Sequence, residues 1–188
     1  MMRSRRLIPL AMLALAASAC GYNRIQSLDE QVNKAQGQIA AQLQRRADLI
    51  PNLVETVKGY AKQESTIFIE VANARAKLAG SVQSGNLEAM AEANQALNAP
   101  LGRLLAISEN YPQLKSDANF RALQDELTGT ENRIATARQD YNEAVNQFNA
   151  YIRTFPYNLT AKVFGHGKPR PYFEAKTGAE EPPAVKFN

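Results

Sequence analysis

Arg45-Arg46-Ala47-Asp48-Leu49-Ile50-Pro51-Asn52-Leu53-Val54-Glu55-Thr56-Val57-Lys58-Gly59-Tyr60-Ala61-Lys62-Gln63-Glu64 is the stretch whose reading decides the fold. Leu49, Ile50, Leu53, Val54, Val57, Tyr60 and Ala61 recur at spacings of three and four, which places them on one helix face. Pro51 has no N–H to donate and its ring crowds the preceding turn, so a straight helix through it is disfavoured. Asp48 stands three residues before Pro51 and is suited to cap a new helix with the proline in its first turn. The stretch therefore reads as a corner between two helices. A single kinked helix is the rival reading.

The same periodicity extends on both sides. Before the corner, Ile25, Leu28, Val32, Ala35, Ile39 and Leu43 predict a helix over 22–46. After it, Ile67, Phe68, Val71, Ala74 and Leu78 carry a second helix over 51–79, the β-prone run 66–69 staying helical because both flanks are. The glycine-bracketed segment 80–86 is a loop ending in Asn86, a good N-cap. A third helix follows over 87–111, with Pro100 expected to bend or split it. Ser116 or Asp117 caps the fourth, over 120–155. Its seam is Phe120, Leu123, Leu127, Thr130, Ile134, Ala137, Tyr141, Ala144, Phe148, Tyr151 and Phe155. At 1.5 Å per residue that helix measures about 50–60 Å, and its aromatics read as core. Pro156 ends it. Gly165, Gly167, Pro169, Pro171, Gly178, Pro182 and Pro183 mark 157–188 as an extended or disordered tail, with 163–164 and 172–173 able to lie back on the helices. The fold class expected is all-α, an elongated antiparallel four-helix bundle over 20–156.

Several motifs in order resemble the LemA family: Arg45-Arg46-x-Asp48-Leu49-Ile50-Pro51-Asn52-Leu53-Val54-x-x-Val57-Lys58-Gly59-Tyr60, then Glu109-x-Tyr111-Pro112-x-Leu114-Lys115, Asn119-Phe120-x-x-Leu123-Gln124-x-Glu126-Leu127, Thr130-Glu131-Asn132-Arg133-Ile134-Ala135-x-Ala137-Arg138, Tyr141-Asn142, Val145, Asn149 and Phe155-Pro156. The resemblance runs from about Tyr22 to Phe173. It implies a membrane-tethered helical bundle and brings no reaction with it. Gln63 departs from the pattern, since many relatives carry His there, so no metal or proton role carries over to that position.

The first nineteen residues read as a lipoprotein leader. Arg3, Arg5 and Arg6 form a positive region, and the apolar run 7–16 is too short to span a bilayer comfortably. Ala17-Ser18-Ala19 precede Cys20, the one cysteine of the chain. Small residues before a cysteine suit a lipoprotein signal peptidase, although Ala17 stands where Leu is usual. Ala17-x-Ala19 also fits ordinary signal cleavage, which would release a soluble protein. A lone exported thiol has no internal partner, and acylation accounts for it. In a host with an outer membrane, Gly21 in place of Asp after the cysteine points to outer-membrane sorting. Removing the leader takes the basic count from 22 to 19 against 18 acidic residues, a net charge of +1. No basic patch interleaved with aromatics remains, so nucleic-acid binding has no support.

Chemistry is sparse. The one histidine, His166, lies in the tail, and nothing in the sequence clusters as a metal site. No glycine-rich phosphate loop or serine elbow occurs. Asp48, Glu55, Glu64, Glu109, Glu126 and Glu131 face a set of cations, Arg45, Arg46, Lys58, Arg75, Arg133 and Arg138, and ion-pairing is the expected use of both. Of these, Arg45, Arg46, Asp48, Glu55, Lys58, Glu64, Glu109 and Arg138, together with Asn52, Asn132 and Asn142, form the candidate polar network or partner surface. The sequence thus points to a non-enzymatic scaffold or adaptor without cofactor. It would be anchored to the extracytoplasmic face of a membrane by acylated Cys20, and bind envelope or membrane proteins or copies of itself. A carboxylate-dependent envelope hydrolase and a self-assembling structural protein are the alternatives.

Overall fold

A computed structural model describes residues 7–173, with side chains from residue 21 onward. Residues 1–6 and 174–188 lie outside the described residues, as does the side chain of Cys20. Of the expected leader at 1–19, residues 1–6 therefore lie outside them and residues 7–19 are described only as the start of a helix, and the last part of the expected tail lies outside them. Among the described residues there is no strand. The helices are α1 (Leu7–Tyr60), α2 (Ser65–Ser84), α3 (Leu87–Asn110), α4 (Pro112–Ser116), α5 (Ala118–Arg153) and α6 (Tyr157–Val163). The fold is all-α, as the periodicity indicates. The residues group into two compact units, one holding the chain up to Gln38 with Ala137–Tyr172, the other Ile39–Thr136 with Phe173.

The second unit is built on the signature stretch, and it corrects the expected corner. Helix α1 continues through Pro51 and ends only at Tyr60. The stripe Leu43, Ala47, Ile50, Leu53, Val54 and Val57 is buried on both sides of the proline. Burying each large aliphatic side chain contributes about 1.5–3 kcal/mol, which together outweighs the roughly 3 kcal/mol that a helical proline costs. Pro51 itself faces outward. Its missing N–H leaves the Ala47 carbonyl without the usual helical donor, and Arg75 Nε supplies one from α2 at 3.2 Å. Asp48 is no cap: it accepts from Gln44 Nε2 one turn earlier, at 2.8 Å. The chain turns instead over 61–64, where Ala61 is buried and the polar Lys62-Gln63-Glu64 run has no apolar face to extend.

Helix α2 then doubles back along α1. Phe68, Val71 and Leu78 point inward, so the β-prone run stays helical as expected. Gly85 ends α2 in the left-handed region, φ 67°, a conformation that favours glycine. Asn86 caps α3 by accepting from the Ala89 N–H at 3.0 Å. Helices α2 and α3 pack on each other, with Met90, Ala93, Leu97, Leu101, Leu104 and Ile107 buried on α3. Pro100 lies inside α3 without splitting it. The short α4 buries Leu114. Asp117 caps α5 through the Phe120 N–H at 2.9 Å. Helix α5 runs antiparallel to α1 here, since Tyr60 meets Asp117 and Arg45 meets Glu126.

The first unit holds the N-terminal part of α1, the C-terminal part of α5, α6 and the strap 165–172. Ile25, Leu28, Val32 and Ala35 from α1 are buried, as are Ala137, Tyr141, Val145, Phe148 and Ile152 from α5. The seam of α5 holds through Phe148 and then drifts. Val145 and Ile152 are inside, whereas Phe155, expected in the core, lies beyond the last residue of the helix and is 75% exposed. The tail reading is also corrected. Residues 157–163 form α6, and Gly165 (φ 81°) closes it with the Schellman pattern, His166 N–H to Ala161 and Gly165 N–H to Lys162. The strap beyond it is extended but held. Asn149 donates Nδ2 to the Arg170 carbonyl at 2.9 Å and accepts the Arg170 N–H at 2.8 Å. Tyr141 Oη donates to the Pro171 carbonyl. A side chain thus pairs the strap's backbone as a neighbouring strand would.

Candidate functional site

The polar residues of the signature stretch converge on one side chain. Arg46 is 3% exposed. Its guanidinium fork spans one turn of α3, Nη1 donating to Asn94 Oδ1 at 2.5 Å and Nη2 to Asn98 Oδ1 at 2.9 Å. Two acceptors four residues apart lie one above the other on a helix, which matches the fork. Glu131 on α5 stands 4.0 Å away with most of its side chain in water. Burial lowers the Arg46 pKa, and the Glu131 charge works against that. Arginine keeps its charge under such pressure where lysine would not. Arg46 therefore ties α1 to α3 and reaches toward α5.

Around it runs a more exposed belt. Arg45 pairs with Glu126 at 2.6 Å, and Arg133 reaches the same oxygen at 3.3 Å. Hydrogen bonds from Arg45 and then Arg133 hold the Glu126 carboxyl below the usual carboxylate range. Asp48 faces Arg75 at 3.8 Å. At the foot of α1, Tyr60 Oη donates to Asp117 Oδ2 at 2.9 Å. The Phe120 N–H and then the Tyr60 hydroxyl lower the Asp117 pKa, and the same hydroxyl–carboxylate bond raises that of Tyr60. On the α2 side, Arg103 of α3 pairs with Glu70.

The remaining sequence candidates are not drawn into this cluster. Glu55 and Lys58 pair with each other at 2.9 Å, and the Lys58 ammonium lies 5.7 Å from the Phe68 ring centre. Asn52 is exposed, and its carbonyl accepts from the Thr56 hydroxyl. Glu64 sits at the start of α2 without capping it through its side chain. Glu109 lines a shallow depression with Gly102, Ser108, Lys115 and Gln124. Asn132 is exposed, its carbonyl bonded to the Thr136 hydroxyl. Arg138 and Asn142 are half-buried and belong to the first unit.

That unit has its own polar node, which the sequence reading did not single out. Arg170 donates to Asp29 Oδ1 from Nη2 at 2.7 Å and from Nε at 3.1 Å, alongside the paired backbone contacts to Asn149. His166 packs edge-on to Phe148 and lies 2.8 Å from Gln26 Nε2. Within the family motif only Asn149 signalled this node, because Arg170 and His166 lie in the Gly/Pro-rich segment and Gln26 and Asp29 on the polar side of α1.

Chemically, the site is a buried arginine held by two asparagines, with a belt of paired ions around it. A carboxyl serving as general acid near neutral pH needs its pKa raised by burial or a like charge, and Glu126 and Asp117 are both shifted the other way. Among the described residues, no group of three or more His, Cys, Asp or Glu side chains could hold a metal ion. No helix searched there is long and apolar enough to cross a membrane.

Comparison with known proteins agrees with the signature. The chain is similar to two magnetosome proteins of Paramagnetospirillum magneticum, MamQ 1 and MamQ 2, each 28% identical over an alignment of 186 residues that covers 86% of this chain and 67% of the relative. It is also similar to magnetosome protein MamQ of Magnetospirillum gryphiswaldense, at 26% identity with the same coverage. The model of the LemA family matches residues 35–187, taking in the signature stretch, the Arg46 cluster and the strap, and the chain belongs to that family.

Proposed function

We propose that this LemA-family chain is a non-enzymatic helical scaffold, tethered to the extracytoplasmic face of a membrane through acylated Cys20, that binds envelope or membrane proteins. The observation that carries the scaffold reading is the use made of the signature residues. Arg46 is buried against Asn94 and Asn98, and Arg45 is paired with Glu126, so the signature residues are used to join helices. The likeness to proteins named for the magnetosome supports association with a membrane. The anchor reading is supported by the basic and apolar leader, by Ala17-Ser18-Ala19 before Cys20, and by the absence of a second cysteine. The face offered to a partner is the edge of α1 after the buried stripe, with Asn52 and Glu55 exposed and Lys58 half-buried beside them.

Two measurements test the reading. Mass spectrometry of protein taken from native membranes should find an N-terminal peptide starting at Cys20 and carrying diacylglycerol; a free Cys20 thiol overturns the anchor. A photo-crosslinking residue at position 52 should give a discrete adduct in cells while one at Gln139 gives none. Absence of an adduct at 52, 55 and 58 alike overturns the partner face, and an adduct of the chain with itself moves self-assembly to first place.

A further inference from the structure

Large apolar side chains are exposed at one place above all others in the described residues. Phe155 (75%), Leu159 (56%), Val163 (79%) and Phe164 (52%) stand in or beside α6. A seven-residue helix that carries this much apolar surface outward has turned only its inner side, around Ala161, to the protein.

Its position is informative. A Cβ added at Gly21 would come within 2.9 Å of the Tyr157 ring and 3.8 Å of Thr160 Oγ1. The Tyr22 and Phe164 rings lie 4.6 Å apart, and Tyr157 stacks on Tyr151 at 4.4 Å. Helix α6 is therefore packed against the residues that immediately follow Cys20. The charge of the segment has one sign. Residues 153–173 contain Arg153, Lys162, Lys168 and Arg170 and no Asp or Glu. Arg170 is paired with Asp29, whereas Arg153, Lys162 and Lys168 are exposed.

We infer that α6 and its flanks form a membrane-contacting face that lies in the headgroup region of an anionic bilayer. Apolar side chains flanked by lysine and arginine, on a short element lying along the surface, match the chemistry of that interface. The inference rests on the anchor reading, because acyl chains on Cys20 would hold Gly21, and with it α6, at the lipid surface. Acyl chains alone leave a protein free to swivel about its tether. A second contact beside the anchor would fix which way the first unit faces.

The chain has no tryptophan, so a single introduced one reports its own surroundings. Full-length chain carrying Val163→Trp, purified from membranes with the state of Cys20 read by mass spectrometry, is reconstituted in vesicles of phosphatidylethanolamine and phosphatidylglycerol. Gln139→Trp, an exposed site on α5 in the same unit, is the control. We expect emission from position 163 to be blue-shifted, quenched by brominated acyl chains and shielded from iodide, while position 139 shows none of these. Adding Phe155→Glu and Leu159→Glu should abolish the lipid quenching and leave the melting temperature unchanged, since both side chains are outside the core. Shielding from iodide without lipid quenching means protein covers the face, either a second copy or residues 174–188, and overturns the inference. Full access to iodide also overturns it. A free Cys20 thiol in the mass spectrum overturns the anchor by itself, and quenching at 163 in the same vesicles still decides the α6 contact.

Discussion

Arg75 donates its Nε to the carbonyl of Ala47 at 3.2 Å, from the facing arm of the α1–α2 hairpin. Ala47 precedes Pro51 by one helical turn, so this carbonyl is the one the proline cannot serve. Arg75 thus replaces a missing helical bond with a tertiary one and lets α1 pass through Pro51. A double-mutant cycle tests the substitution. Pro51→Ala should stabilise the chain by about 1–3 kcal/mol, as a helix former with an N–H enters the turn. Arg75→Met should cost about 1–2 kcal/mol in the native background, since a half-buried carbonyl loses its donor. In the Pro51→Ala background the same change should cost about 1 kcal/mol less, because the new backbone N–H now serves that carbonyl. Urea unfolding midpoints of the four proteins give the coupling, and strict additivity would mean Arg75 does not compensate for Pro51.

Arg46 should behave as a strut between helices. Arg46→Ala leaves two asparagine acceptors without their charged donor and opens a void, at a cost of about 3 kcal/mol. Arg46→Lys keeps a charge but loses the fork that spans Asn94 and Asn98, and should cost about 1–2 kcal/mol. Glu131→Gln should change stability by less than about 0.5 kcal/mol, because its side chain is largely in water 4.0 Å away. Chemical denaturation ranks the three. A Glu131 effect as large as that of Arg46→Ala would make the node an ion pair instead of an arginine–asparagine clamp.

Much of this architecture is legible in the sequence where burial follows a local period. Ile25 to Leu43 on α1 and Phe120 to Phe148 on α5 are such stripes, and Ile134 and Phe148 are buried while Gln139 and Glu143 face outward. The failures share a cause. At Pro51 a local rule is overridden by a partner on the next helix, and nothing local announces Arg75. Phe155 keeps the period, but the helix ends at Arg153, so the period no longer sets its direction. The segment after Pro156 has the composition of a loose tail, yet Asn149 and Tyr141 bind its backbone. The clamp on Arg46 needs the register of α1 against α3, which no single-helix pattern contains.

Acid should weaken the second unit. The Asp117 and Glu126 carboxyls have pKa values held below their ordinary ones in the folded chain. Above the ordinary carboxylate pKa of about 4 both are charged, folded or unfolded, and their contribution to stability is complete. As pH falls below that value the unfolded chain takes up protons first, so stability is lost until the folded-state pKa values are passed. The unfolding midpoint should therefore hold from neutral pH down to about pH 5 and fall as the pH passes below about 4. The slope should flatten in an Asp117→Asn, Glu126→Gln protein. An unchanged slope in that variant would assign the acid sensitivity to other carboxylates.

The last prediction concerns the strap. Asn149 is buried on α5 and makes two hydrogen bonds to the backbone of one residue, Arg170. Asn149→Ala removes both at once and should cost about 2 kcal/mol, with the Arg170 N–H and carbonyl losing their partner. Tyr141→Phe removes one bond to the neighbouring Pro171 carbonyl and should cost about 1 kcal/mol. Asp29→Asn weakens the hold on the Arg170 guanidinium without touching the strap's backbone, so it separates side-chain from main-chain pairing. Hydrogen exchange locates the effect. In Asn149→Ala the Arg170 amide should exchange quickly while α5 on either side of Tyr141 keeps its protection. In Asp29→Asn the Arg170 amide should stay slow, because Asn149 still accepts it. If Asn149→Ala leaves that amide protected, the Asn149 pair is not what holds the strap, and its apolar contacts take over that role. If it instead loosens α5 as well, the strap and the helix open as one cooperative element.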